Sequence, residues 1–81
     1  MDLNAIIDEV NKIFRDVLDN DGIEINNMTT ANDIEEWDSL THIQLVVEIE
    51  KYFKIRFTSA EIQNFKNVGE MCEAIHKRIS K

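Results

Sequence analysis

Leu3, Ile6, Ile7, Val10, Ile13, Phe14, Val17 and Leu18 recur at intervals of three and four residues. That spacing gathers them on one side of an α-helix. A single helix with one apolar side is marginal in water and must bury that side against other elements. The chain has 81 residues, two glycines and no proline, so it lacks the punctuation of a turn-rich β fold. The partners of the first helix are therefore expected to be helices. The predicted fold is all-α: one domain over residues 1–81, a small four-helix bundle. It has a long loop between the first and second helices and a short third helix.

Asp2 is placed to cap the first helix, and Asp19-Asn20-Asp21-Gly22 to end it. A connection from Asp19 to Asp38 follows. Loops this long in a compact domain are uncommon and often functional. Ile23, Ile25, Met28, Ile34 and Trp37 are expected to pin it to the core, with a short turn near Ala31 to Glu35. The second helix is predicted from Ser39 to Phe53, then an extended link over Lys54-Ile55-Arg56-Phe57. Thr58 and Glu61 have the spacing of a capping box, opening a short helix through Phe65. Asn67 caps a last helix with Val68, Met71, Cys72, Ile75 and Ile79 on one face.

The second helix carries two apolar stripes. Leu45, Val46, Ile49 and Phe53 form one, Leu40, Ile43 and Val47 the other, and Thr41, Gln44, Glu48 and Lys51 a polar face. A surface helix in a small bundle normally buries one stripe. Either the long loop covers the second, or it is a docking surface. Ser39 opens this helix and has two readings. Serine is a favoured N-cap. The same place, with unpaired N–H groups and the positive end of the helix dipole, also suits a phosphate ester.

Charge narrows the partners. The net charge is −7, which disfavours nucleic acid and favours basic protein surfaces. It is unevenly spread: residues 1–50 hold 13 acids and 2 bases, net −11, and residues 51–81 hold 3 acids and 7 bases, net +4. The lone Cys72 excludes an internal disulfide and fits a reducing compartment. No apolar run is long enough to span a membrane, and the N-terminus lacks a basic leader. A cytoplasmic monomer is expected.

Three other constellations fail on spacing. Asp38, Ser39 and His42 have the residue types of a hydrolase triad, but the acid adjoins the serine instead of backing the histidine. Cys72 and His76 lie four apart on a helix without a second ligand pair for zinc. Asp19-Asn20-Asp21-Gly22 puts Val17 and Met28 where a calcium loop needs oxygen ligands.

Asp38-Ser39-Leu40 followed by the apolar second helix resembles the phosphopantetheine attachment motif of acyl carrier proteins. The likeness extends to the long first helix, the pinned loop and Phe65-Lys66-Asn67-Val68-Gly69-Glu70 before the last helix. The resemblance implies a non-enzymatic carrier. A Mg²⁺-dependent phosphopantetheinyl transferase would attach 4′-phosphopantetheine to Ser39, and the arm would hold acyl groups as thioesters. Asp38 would hold the turn and help orient the incoming metal-phosphate group, and Asp38 and Leu40 would complete the cofactor-binding motif around Ser39. Leu40, Ile43 and Val47 would meet acyl-loading and acyl-transfer enzymes, with Glu35, Glu36, Glu48 and Glu50 steering toward their basic docking surfaces. Thr41, Gln44 and Lys51 depart from the acidic pattern of fatty-acid carriers. Fatty-acid-type and specialised biosynthesis both stay open, as do an interaction domain of carrier-like fold and an aminoacyl or peptidyl carrier.

Overall fold

The computed structural model describes residues 2–79. Four α-helices are present among them: α1 (Leu3–Val17), α2 (Ser39–Phe53), α3 (Ser59–Asn64) and α4 (Val68–Ile79), with one 3-10 turn at Ala31–Asp33. The bounds of α2 match the sequence expectation.

α1 starts as expected, with the Asp2 carboxylate accepting from the Ala5 N–H at 2.8 Å. Its end is built on Asp19, not on a glycine. Asp19 adopts φ 52°, while its N–H and that of Asn20 reach back to the Asp16 and Arg15 carbonyls. This closing pattern satisfies carbonyls that would otherwise lack partners. α1 packs against both α2 and α4. Ile6, Val10 and Phe14 meet Leu45, Val46 and Ile49 of α2 and Val68, Met71, Cys72 and Ile75 of α4 in one core. These ten side chains are buried, and Phe53 packs partly against them.

The long connection is ordered by both apolar pins and hydrogen bonds. Ile23, Ile34 and Trp37 are buried and Ile25 partly so. Met28, expected as a pin, is instead 79% exposed. Backbone hydrogen bonding decides this: the Met28 N–H donates to the Asn26 side chain in a tight turn, which turns residue 28 outward. Nearby, Arg15 Nε donates to the Ile23 carbonyl at 2.7 Å, and the Ile25 N–H donates to Asn11 Oδ1 at 2.9 Å. The turn then docks on α4. The Thr29 carbonyl accepts from the Val68 N–H and the Asn27 carbonyl from the Gly69 N–H, each at 2.9 Å. With Asn67 Oδ1 accepting from the Glu70 N–H, the first three amides of α4 are all paired.

Gly69 is required for that docking. A Cβ there would stand 2.8 Å from the Asn27 carbonyl oxygen. Cys72, facing the same core, is fully buried, and burial followed by the nearby Glu73 pushes its thiol up to about 12. It is a packing residue, and no group of three or more potential metal ligands exists among the described residues.

α3 buries no residue completely and is held at both ends. At its start, the Thr58–Glu61 capping box forms as expected. The bond from the Thr58 N–H, then the Arg78 guanidinium, holds the Glu61 carboxyl below the usual carboxylate range. Arg78 also lies 5.0 Å from the centre of the Phe57 ring. At the other end, the Ile62 carbonyl is bonded to the His42 ring of α2. No described helix is long and apolar enough to cross a membrane.

Candidate functional site

The start of α2 is organised by Asp38, the residue before the serine. Asp38 has extended backbone and its Oδ1 accepts from both the Leu40 and Thr41 N–H groups at 2.9 Å. In return, the Asp38 N–H donates to Thr41 Oγ1 at 2.8 Å, and that hydroxyl donates to the Glu36 carbonyl at 2.8 Å. This is a capping box with threonine in the place usually taken by Glu or Gln. The bond from the Thr41 N–H leads the contacts that hold the Asp38 carboxyl below its ordinary range.

Two expectations are corrected here. Ser39 is not the cap; it is the first helical residue, and Asp38 caps in its place. The first-turn amides are not generally open to an anion, because Asp38 takes those of Leu40 and Thr41. Among the described residues only the Ser39 N–H of that turn is left without a partner. The dipole still favours an anion at this end. The Ser39 side chain is exposed and its hydroxyl makes no hydrogen bond to the described residues. The oxygen is thus free, on a turn whose capping hydrogen bonds do not involve it.

His42 cannot act as a base for Ser39. Its Nδ1 accepts from Trp37 Nε1–H at 3.1 Å and its Nε2 lies 2.9 Å from the Ile62 carbonyl. A carbonyl can only accept, so Nε2 carries the proton and both ring nitrogens are engaged. The imidazole also stacks on Trp37, which in turn packs edge-on against Phe14. The role of His42 is to tie α2 to α3 beside the serine. Sequence reasoning missed this role, because the Trp37–His42 pair is visible at five residues' spacing but Ile62 is twenty residues away.

A cleft of about 390 Å³ opens between the start of α2 and α3, with Ser39 on its rim. Trp37, Ile43, Ile62 and Phe65 supply its apolar walls and Lys66 a positive edge. Beside it, Leu40, Ile43 and Val47 are 69%, 51% and 39% exposed. The loop therefore does not cover the second stripe. The expected acids are divided by the fold. Glu35 is exposed next to the motif, and Glu36 is exposed while accepting from Asn20 Nδ2 at 2.8 Å. Glu48 is exposed and loosely paired with Lys51 at 3.9 Å. Glu50 is not a free rim charge: it is half-buried, and its Oε2 accepts from the Phe57 N–H at 2.8 Å. That bond closes the turn after α2, where Lys54 is left-handed with φ 58°.

Residues 8–75 match the family described as "Phosphopantetheine attachment site". The chain is 32% identical to an acyl carrier protein of Phytoplasma mali (strain AT) over 60 residues, covering 70% of this chain and 71% of that protein. It is 45% identical over 40 residues to an acyl carrier protein of Onion yellows phytoplasma (strain OY-M), about half of each chain. Its fold superposes on the solution structure of a holo acyl carrier protein from Geobacter metallireducens with a TM-score of 0.87 and 41% identity, covering 93% of this chain and 86% of that one.

Proposed function

This chain belongs to the acyl carrier protein family, and from that premise we propose that Ser39 is the attachment point of its 4′-phosphopantetheine arm. The protein is a carrier and not an enzyme; the arm, when bound, supplies a terminal thiol that holds acyl groups as thioesters. One observation supports Ser39 above all: its hydroxyl is exposed and unbonded at the first turn of α2, while Asp38 performs the capping. The residues present fit the group. The phosphodiester would sit at the positive end of α2, with the Ser39 N–H available to it.

A phosphopantetheinyl transferase and acyl-handling enzymes are the partners of such a carrier. In the finer reading, Leu40, Ile43 and Val47 form the apolar ridge they touch. Glu35, Glu36 and Glu48 attract basic rims, and Glu50 serves the fold. The carrier works as a cytoplasmic monomer of one domain, in fatty-acid-type or specialised biosynthesis.

Incubation with coenzyme A, Mg²⁺ and a broad-range transferase tests the site by intact mass. The wild type should gain one arm and Ser39→Ala none. An arm on the alanine variant would move the site, and an unmodified wild type would favour an interaction domain. Val47→Asp should weaken transferase binding with little loss of stability, whereas Ile49→Asp should damage the fold by burying a charge. Association should slow as salt rises. Charge reversal at Glu48 should slow it more than reversal at Glu73.

A further inference from the structure

The charge bordering the exposed ridge of α2 changes sign past Glu48, the last exposed acid of the helix. Glu35, Glu36 and Asp38 lie at the Ser39 end. At the other end, Lys51, Lys54 and Arg56 line a cleft of about 580 Å³ together with Val47, Glu50 and Ile55. These three cations are exposed. Lys51 is paired only loosely, at 3.9 Å from Glu48, and neither Lys54 nor Arg56 forms an ion pair among the described residues. The one acid lining the cleft, Glu50, is committed to the Phe57 N–H. An α-helix rises about 1.5 Å per residue, so the basic cluster lies roughly 20 Å from Ser39 along α2.

We infer that the acyl-handling partner of this carrier presents a two-signed docking face: basic at the Ser39 end of the ridge, and acidic roughly 20 Å away, against Lys51, Lys54 and Arg56. Charge complementarity argues for a protein with a local acidic patch. A uniformly anionic surface would meet repulsion from a chain of net charge −7, most of all from its first fifty residues. A uniformly basic docking face would satisfy one end of the ridge and oppose the other. The basic cluster thus selects partners by repulsion as well as attraction. It also sets the direction in which the ridge is read, which a uniformly acidic helix could not do. The inference rests on the α2 ridge being the docking face, but not on Ser39 being modified.

The test uses the unmodified full chain, labelled with ¹⁵N, and three helical peptides sharing one leucine stripe. One carries lysines at one end and glutamates at the other, one lysines throughout, and one glutamates throughout. The two-signed peptide should bind roughly tenfold more tightly than either uniform one, as expected for several exposed charge pairs acting together. A spin label at its glutamate end should broaden amides from Lys51 to Arg56 and spare those near Ser39. Combined Lys51→Glu, Lys54→Glu and Arg56→Glu should reverse the preference toward the all-lysine peptide. Lys51→Gln with Arg56→Gln should reduce the preference partway and guards against misfolding of the triple variant. Equal binding of the two-signed and all-lysine peptides, or labelling without orientation, would overturn the two-signed face alone. Failure of every peptide to perturb Leu40, Ile43 and Val47 would overturn the docking ridge as well. Vesicles rich in phosphatidylglycerol that bind this cluster at physiological salt while the peptides do not would assign it to a lipid surface and overturn a protein partner.

Discussion

The starts of α2 and α4 solve one problem in opposite ways. Each helix begins with amides that have no partner within the helix. At α2 the solution is local: Asp38 and Thr41 bond each other's backbone across three residues, and the whole device is solvent-exposed. At α4 Asn67 contributes one bond, but the Val68 and Gly69 amides are paired by carbonyls of a loop about forty residues earlier. The first arrangement leaves the residue between its members unengaged, which is what the proposed attachment at Ser39 requires. The second uses the helix start as an anchor, which holds the long connection and, with it, Trp37 under the site. The proposed attachment uses both: an exposed serine that no structural bond depends on, and a turn beneath it held by hydrogen bonds to α4.

The contrast can be broken most severely at Gly69. Gly69→Ala puts a methyl against the Asn27 carbonyl and should cost about 1–3 kcal/mol as overpacking, partly offset by up to about 1 kcal/mol of better helix propensity. Calorimetry should show a lower melting midpoint. A rise would mean that the loop gives way freely and is no anchor. Asp38→Ala should lower the midpoint by less, since it removes a local cap and leaves the loop docked. Amide exchange should report fraying limited to the first turn of α2. Protection lost at Val68 as well would mean that the two starts are coupled.

A smaller effect separates the charge of Asp38 from its geometry. Its folded-state carboxyl is held below the ordinary range by the amides it accepts, led by Thr41. The stability it contributes is therefore present above that ordinary range and is lost as pH falls through the lowered folded value. Asp38→Asn keeps an acceptor oxygen but removes the titration. Its acid-side melting curve should fall less steeply with pH than that of the wild type. Parallel curves would assign the acid dependence to other carboxylates, such as Glu61. The smallest change in stability is expected for Ser39→Ala, within about 0.5 kcal/mol, because the hydroxyl caps nothing. A larger loss would restore Ser39 as a structural residue and erase the contrast.

Much of this was legible in the chain because it is local. Asp2, Thr58–Glu61 and Asn67 were readable as caps from spacing alone, since a side chain can reach an amide three residues away. The two stripes of α2 followed from periodicity. Met28 could not be read correctly, because a turn closed by Asn26 overrides its hydrophobicity. In the sequence the cap of α2 reads as Ser39, the alternative to attachment there; the cap falls one residue earlier, on Asp38, because the helix begins at Ser39 itself. Thr41, which reads as a departure from an acidic pattern, is a member of the cap.

The linear order of residues determined the four helices, their apolar faces and the serine at a helix start, because each depends on contacts within about one turn, and the acidic front half, which is a matter of composition alone. Tertiary structure alone decided that the Leu40, Ile43 and Val47 ridge stays uncovered, that Glu50 turns inward to Phe57, that His42 is occupied by Trp37 and Ile62, and that Gly69 admits the Asn27 carbonyl. Most of these join residues far apart in the chain; even Glu50 and Phe57 meet only because the backbone reverses at Lys54. Sequence spacing encodes how a helix repeats. It does not encode which distant surface arrives first to pair an amide or cover an apolar face.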